Sequence, residues 1–356
     1  MNLEQKIRSV IREALGVPSN IYETANEIFD KLLRATKKLN KEDFENYGAH
    51  MKFRGEFTIA DFPFSSVKFQ LGIEENKRAK EPELVSMVIR SESKKDGGKL
   101  IPVKTKTLDL LAVYVVPKGY DYSQFPNFLL SDKKQAVESL THELKHAYDH
   151  FKKPLDSGEA RASYQSIVGK QFGVPSLDRF FHDIYFISEN ENLVRPSEIS
   201  AAIRNNEISQ KDFLNFLKSH ETYLNLKRIS NFSLAKLKQD LKKEMKSIDR
   251  VLKHVGLPVD EMSETKKINE VLKLAYVNVT NWKIEAYKDM LTSSFFEELL
   301  GFEGEKEKLF RKFVNKSHNF TGYKDFFQYY ERYFHQIANE VIKKIAKLYA
   351  ITKPNV

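Results

Sequence analysis

The chain contains no cysteine in 356 residues. That absence excludes disulfides, a cysteine nucleophile and thiolate-held zinc, so any metal must be held by histidine, aspartate or glutamate. Long hydrophobic runs are also missing. No stretch approaches the ~18 consecutive apolar residues of a membrane span. The start, Met1-Asn2-Leu3-Glu4-Gln5-Lys6, lacks the basic segment and apolar run of a secretory leader. The expectation is a cytoplasmic protein without a membrane segment. Excess charge is modest: 58 Lys and Arg against 49 Asp and Glu give +9. Spread among so many acids, it favours a solvated surface first and weak attraction to nucleic acid or acidic partners second.

What is present is enough for a core. A hydrophobic content of 41% with 12% aromatics excludes a wholly disordered chain. The length suits two domains, or one with a large helical annex. No internal repeat or low-complexity tract occurs.

Residues 1–40 read as two helices broken at Gly16-Val17-Pro18-Ser19. Ile7, Val10, Ile11 and Leu15 stripe the first, and Ile21, Ala25, Ile28, Leu32 and Leu33 the second. From Met51 to Pro117 the pattern becomes that of strands. Val67, Phe69, Leu71 and Ile73 alternate, as do Val85, Met87 and Ile89. Lys94 to Lys99 reads as a polar turn, and Leu108 to Val116, apolar on both faces, as a central strand. Ser131 or Asp132 then caps a helix carrying Val137, Leu140, Leu144, Tyr148 and Phe151 at helical spacing, ended by Pro154. Beyond Phe180 the chain reads as helical, with segments near 198–225, 232–255, 264–292, 295–317 and 323–350. The stretch Leu234 to Leu252 has a strongly basic outer face, read first as solvated and second as a nucleic-acid contact. The fold class is α+β: a mixed or antiparallel sheet packed on one helix, then a large, mostly helical region. The expected divisions are 1–45, 46–200 and 201–356.

The helix after the sheet carries His142-Glu143-Leu144-Lys145-His146. Positions four apart share a helix face, so both imidazoles can aim at one point and hold zinc, with Glu143 beside it as general base. A third ligand is needed, with a position left open for water. His150 continues the stripe, but three ligands along one rod converge poorly. A carboxylate on another helix suits better, and Glu191, Glu159 and Glu198 compete, Glu191 being best placed; Glu189 is a further rival.

The segments Thr141 to His150 and Tyr185 to Arg195 together resemble bacteriophage-type zincin-like proteins. Those carry an H-E-[LI]-x-H-x-[LIY]-D segment and, downstream, Y-[YF]-x-S-x-x-E-x-x-[AV]-R. The resemblance covers roughly residues 50–200. It implies a zincin-like metallopeptidase core, His142, His146 and Glu191 as zinc ligands, Glu143 as base, and host cytoplasm or a virion as location. Val194 stands where alanine is usual, and Pro196 puts Glu191 near an interrupted or newly starting helix.

For the oxyanion, Arg195, Tyr185, His150 and His182 are candidates. Asp149 is either a second-sphere partner of a ligand histidine or a surface charge. Phe180, Phe181, Tyr185 and Phe186 read first as core and second as groove lining. Trp282 and Tyr287 have no assignable role. Two functions follow: a zinc metallopeptidase acting on a protein or peptide, or a catalytically silent structural or interaction protein, virion-associated or contacting nucleic acid.

Overall fold

A computed structural model describes residues 20–37, 45–47, 50–62, 64–91, 93–96, 99–102, 106–152, 171–291, 307–312 and 320–352. The first expected helix, the break at Gly16 to Ser19, Pro154, Glu159, the side chain of His150 and most of 295–317 lie outside the described residues. Two compact units interleave along the chain. The first takes in 1–154, 194–216 and 345–356, and the second 155–193 and 217–344. The fold is α+β.

In the first unit, helix α1 (Ile21–Thr36) buries Ile21, Ala25, Ile28 and Leu32, the predicted stripe, with Leu33 at its half-buried edge. Next come β1 (Glu45–Tyr47), β2 (His50–Phe62), β3 (Phe64–Asn76), β4 (Glu83–Ser91), the hairpin β5 (Ser93–Asp96) and β6 (Lys99–Pro102), and β7 (Thr107–Pro117). Lys94 to Asp96 and Lys99 thus belong to paired strands rather than to a turn. The sheet is mixed, in the order β1-β2-β3-β7-β4. β3 and β7 run parallel, while β4 pairs antiparallel with β7 and forms the edge.

Parallel register sets Val67, Phe69, Leu71 and Ile73 beside Leu108, Leu110, Ala112 and Tyr114, all buried on one face. This single face is why the sequence alternates. β7 is an interior strand as expected, but Leu111, Val113 and Val115 on its second face are only half-buried. Glycine at position 55 has a steric reason: a Cβ there would lie 2.5 Å from the Phe69 ring. That ring covers Gly55 across the β2–β3 pair, flanked by Phe53 and Phe57. In β4 the predicted alternation fails at Val85, which is 58% exposed. A register shift between Leu84 and Ser86 is the cause, because one extra residue in a strand rotates its neighbours to the other face.

α2 (Phe125–Ser131) leads into α3 (Lys133–Lys152), which packs against α1 and β4. Val137, Leu140 and Leu144 are buried, Tyr148 is half-buried, and Phe151 is largely exposed with its ring edge-on to Phe64. The hydrophobic face of α3 therefore holds one angular setting against the sheet, which fixes where His142, Glu143 and His146 point.

α4 (Pro175–Phe186) precedes α5 (Glu189–Asn205). α5 continues through Pro196, and Glu191 sits in its first turn, so of the two expected alternatives the newly starting helix is the one observed. Proline lacks the amide that would bond to Asn192, and its burial offsets that loss. The expected 198–225 helix is three pieces, α5, α6 (Phe213–Ser219) and α7 (Glu221–Ser230). The first break falls at Glu207, whose φ of 50° is left-handed and ends a helix.

The second unit is helical. α8 (Leu234–Lys243), α9 (Met245–His254), α10 (Glu264–Leu291) and α11 (Tyr323–Leu348) follow, α11 passing into the first unit at Ile345. Phe180 of α4 is its hub, in ring contact with Phe232, Phe327, Tyr330 and Phe334. Phe180, Phe181 and Phe186 are core, as first read, and Tyr185 is half-buried. Trp282 packs edge-on against Phe181, and Tyr287 is buried. An ion pair between half-buried Arg228 and buried Asp183, through two bonds of 2.6 and 2.7 Å, ties α7 to α4.

No described helix is long and apolar enough to cross a membrane.

Candidate metal centre

α3 carries His142 and His146, and the first turn of α5 carries Glu191. Ligand atoms of His142, His146 and Glu191 all lie within 4.8 Å of one another. Among the described residues no second group of three such side chains converges this way.

The two histidine Nε2 atoms are 3.1 Å apart. Tetrahedral zinc, with bonds of about 2.0–2.1 Å to nitrogen, would separate two ligand nitrogens by about 3.3 Å. The pair is therefore already at near-chelating distance. Glu191 is buried, 3% exposed. The donor set, two imidazoles and one carboxylate, suits zinc.

Tautomer follows from the surroundings. Glu198 Oε2 lies 3.4 Å from His142 Nδ1 and accepts a 2.8 Å bond from Arg195 Nη1. Arginine stays charged, and the carboxylate it holds can only accept, so His142 Nδ1 carries the proton. The lone pair of His142 then sits on Nε2, the atom facing His146. Glu191, Arg195 and Glu198 occupy positions i, i+4 and i+7, one stripe of α5.

Each candidate residue now has a place. Glu198 reaches the far nitrogen of His142 rather than joining the ligand group. Arg195 is 7% exposed and tied to Glu198. Asp149 forms an ion pair with the buried Lys145 one turn away, so the carboxylate that orients a site histidine is Glu198. His182, largely exposed, lies on α4 in the second unit against Tyr185 and Phe186.

Glu143 turns towards the sheet edge. Its Oε2 accepts a 3.3 Å bond from the Ile89 amide of β4. Residues alternate along a strand, so the Met87 amide points outward beside it. Sequence inspection had no means of finding this partner, since a backbone amide leaves no residue signature. The role of Glu198 did have a signal: its seven-residue spacing from Glu191, with an arginine between.

The Glu198 arrangement predicts a measurable effect. Glu198→Gln should weaken zinc binding by about 10–100-fold, the usual cost of losing an outer carboxylate, with little change in folding. Competition against a chromogenic chelator reads this directly, and equal affinity in the two proteins would remove Glu198 from the site.

One turn before His142, burial pushes the Glu138 carboxyl up to about 7, against the opposing bond from Asn205 and with nearby Glu198 adding to the rise. The folded protein keeps this proton to about pH 7, while the unfolded chain releases it near the ordinary 4.5. Stability from this group is therefore full below about 4.5 and is lost as pH rises through 7. Glu138→Gln should match wild type at pH 4 and be more stable at pH 8, by about 1–2 kcal/mol after screening by solvent. Urea melts at the two pH values provide the comparison.

No protein-family model, curated protein or solved structure matches this chain.

Proposed function

We propose that this protein is a zinc-dependent peptidase, zincin-like in its core, in which His142, His146 and Glu191 hold the metal and Glu143 is the general base. The observation that supports this most is the convergence of those three ligand groups, with the two Nε2 atoms 3.1 Å apart. Beside it stands a carboxylate at the exposed edge of a sheet.

When bound, zinc would polarise a peptide carbonyl and acidify a water. The protein's own groups supply the rest. Glu143 accepts the proton of the attacking water and hands it to the departing amine. Glu198, braced by Arg195, keeps His142 in the tautomer that presents Nε2. The outer edge of β4 offers main-chain groups to an extended substrate, which would add to the sheet as a further strand alongside α3. Glu143 directly follows a proposed metal ligand, the position of a general base, and this order favours the enzyme over a silent interaction protein, although its bond to the Ile89 amide also ties α3 to β4.

The test is metal-dependent cleavage. Protein stripped by a chelator, then reloaded with one equivalent of zinc, should regain hydrolysis of an unstructured peptide library, followed by mass spectrometry. If the zinc-loaded protein cleaves nothing in any pool, the silent structural reading replaces the enzyme.

A further inference from the structure

We infer that helices α8 and α9 form a binding surface for the phosphate backbone of nucleic acid, independent of the metal centre. The observation is a group of cations on the side of these helices turned away from the core. Lys246, Arg250 and Lys253 follow one another on α9 at spacings of four and three residues, so they share one face, and Lys242 stands at the end of α8 just before them. All four are exposed, while Leu237, Leu241, Ile248 and Leu252 occupy the opposite, buried face. Lys236, Lys238 and Lys243 flank the row.

The helices are separate at Glu244, which ends α8 and caps α9, so the core of the row is the α9 face of Lys246, Arg250 and Lys253, with Lys242 at the end of α8 next to it in the chain. Acids nearby are turned to other tasks. Glu244 bonds the backbone and hydroxyl of Ser176 at 3.0 and 2.7 Å. Asp249 pairs with Lys267 of α10 at 2.9 Å, and Asp240 with the flanking Lys243 at 3.1 Å. Lys253 has a contact at 3.4 Å with the exposed Asp260, a weak pairing that a polyanion would displace.

Dimensions fit a charged polymer. Lys246 to Lys253 spans about 10 Å of helix at 1.5 Å per residue. Duplex DNA carries a charge about every 1.7 Å of its axis, so several phosphates fall within reach. A lipid surface fits less well. Membrane-surface helices insert an apolar face, and here the apolar faces of α8 and α9 are spent in the protein core. The row consists of cations suited to phosphates rather than to base edges, so sequence-independent binding is expected.

The experiment uses the full chain and fluorescence anisotropy with a mixed-sequence duplex of about 20 base pairs, between about 50 and 200 mM salt. Four cations predict a log–log salt slope of about −3.6. The triple variant Lys242→Gln, Lys246→Gln, Arg250→Gln should bind at least about tenfold more weakly and lose about 2.7 from that slope. A control with the same charge loss elsewhere, Lys118→Gln, Lys211→Gln, Lys324→Gln, should retain most of the affinity; these side chains are also exposed. Unchanged circular dichroism and melting of both variants exclude misfolding. Equal weakening by both triples would assign binding to net charge alone and overturn the proposal. So would the absence of duplex binding at the lowest salt, or binding only to phosphatidylserine vesicles. Because zinc-free protein serves equally well, failure here leaves the peptidase reading untouched, and the reverse holds too.

Discussion

Glu143→Gln should lower peptide hydrolysis by about 10²–10⁴-fold while zinc content stays at the wild-type level. The substitution preserves shape, and the amide oxygen can still accept the Ile89 amide bond that now holds Oε2 at 3.3 Å. What disappears is the capacity to take a proton. The metal ligands lie on other atoms, so the variant separates base from chelate, which a histidine replacement cannot do. Steady-state cleavage of one mapped peptide, with zinc measured on the same samples, gives both quantities. A variant that cleaves as fast as wild type would dismiss Glu143 as the base. Loss of zinc together with activity would instead make Glu143 part of the metal's support.

Phe180→Ala should cost about 3–5 kcal/mol of stability in the second unit. The ring is 1% exposed and meets six other aromatic rings at centroid distances from 4.8 to 6.2 Å. Removing it leaves a cavity among rigid rings that collapse poorly, so both the lost transfer energy and the void contribute. A domain's whole stability is about 5–15 kcal/mol, so the loss is large enough to bring the helical unit near its melting point at ordinary temperature. Guanidinium titration followed by Trp282 fluorescence reports this unit directly, since Trp282 packs on the neighbouring Phe181. A cost under about 1 kcal/mol would mean that Phe180 is not the hub of this core.

Much of the architecture was legible because local periodicity is a backbone property. The i, i+3, i+4 stripe of α1 and the period-two alternation of β3 each report one buried face, and the structure buries those faces. Misreadings arose where one residue changed the phase. Val85 is apolar yet exposed because a register shift in β4 is invisible to alternation counting. Pro196 left an interrupted or a newly starting helix open for Glu191, and the helix starts at Glu189 and continues through the proline.

At the candidate site, the amino-acid order alone determined that His142 and His146 would share a helix face with Glu143 beside them. Four-residue spacing guarantees that in any helix. Tertiary structure decided the rest. Which carboxylate approaches the two Nε2 atoms depends on how α5 lies against α3, and no local pattern separates Glu191 from Glu198 in that respect. The packing brings Glu191 within 4.8 Å of a ring nitrogen of each histidine and Glu198 to Nδ1 of His142. Likewise, the partner of Glu143 is an amide of β4, 54 residues earlier in the chain. Helical spacing is short-range geometry that a sequence displays, whereas the approach of a second helix and a strand edge is a long-range outcome of burying their apolar faces.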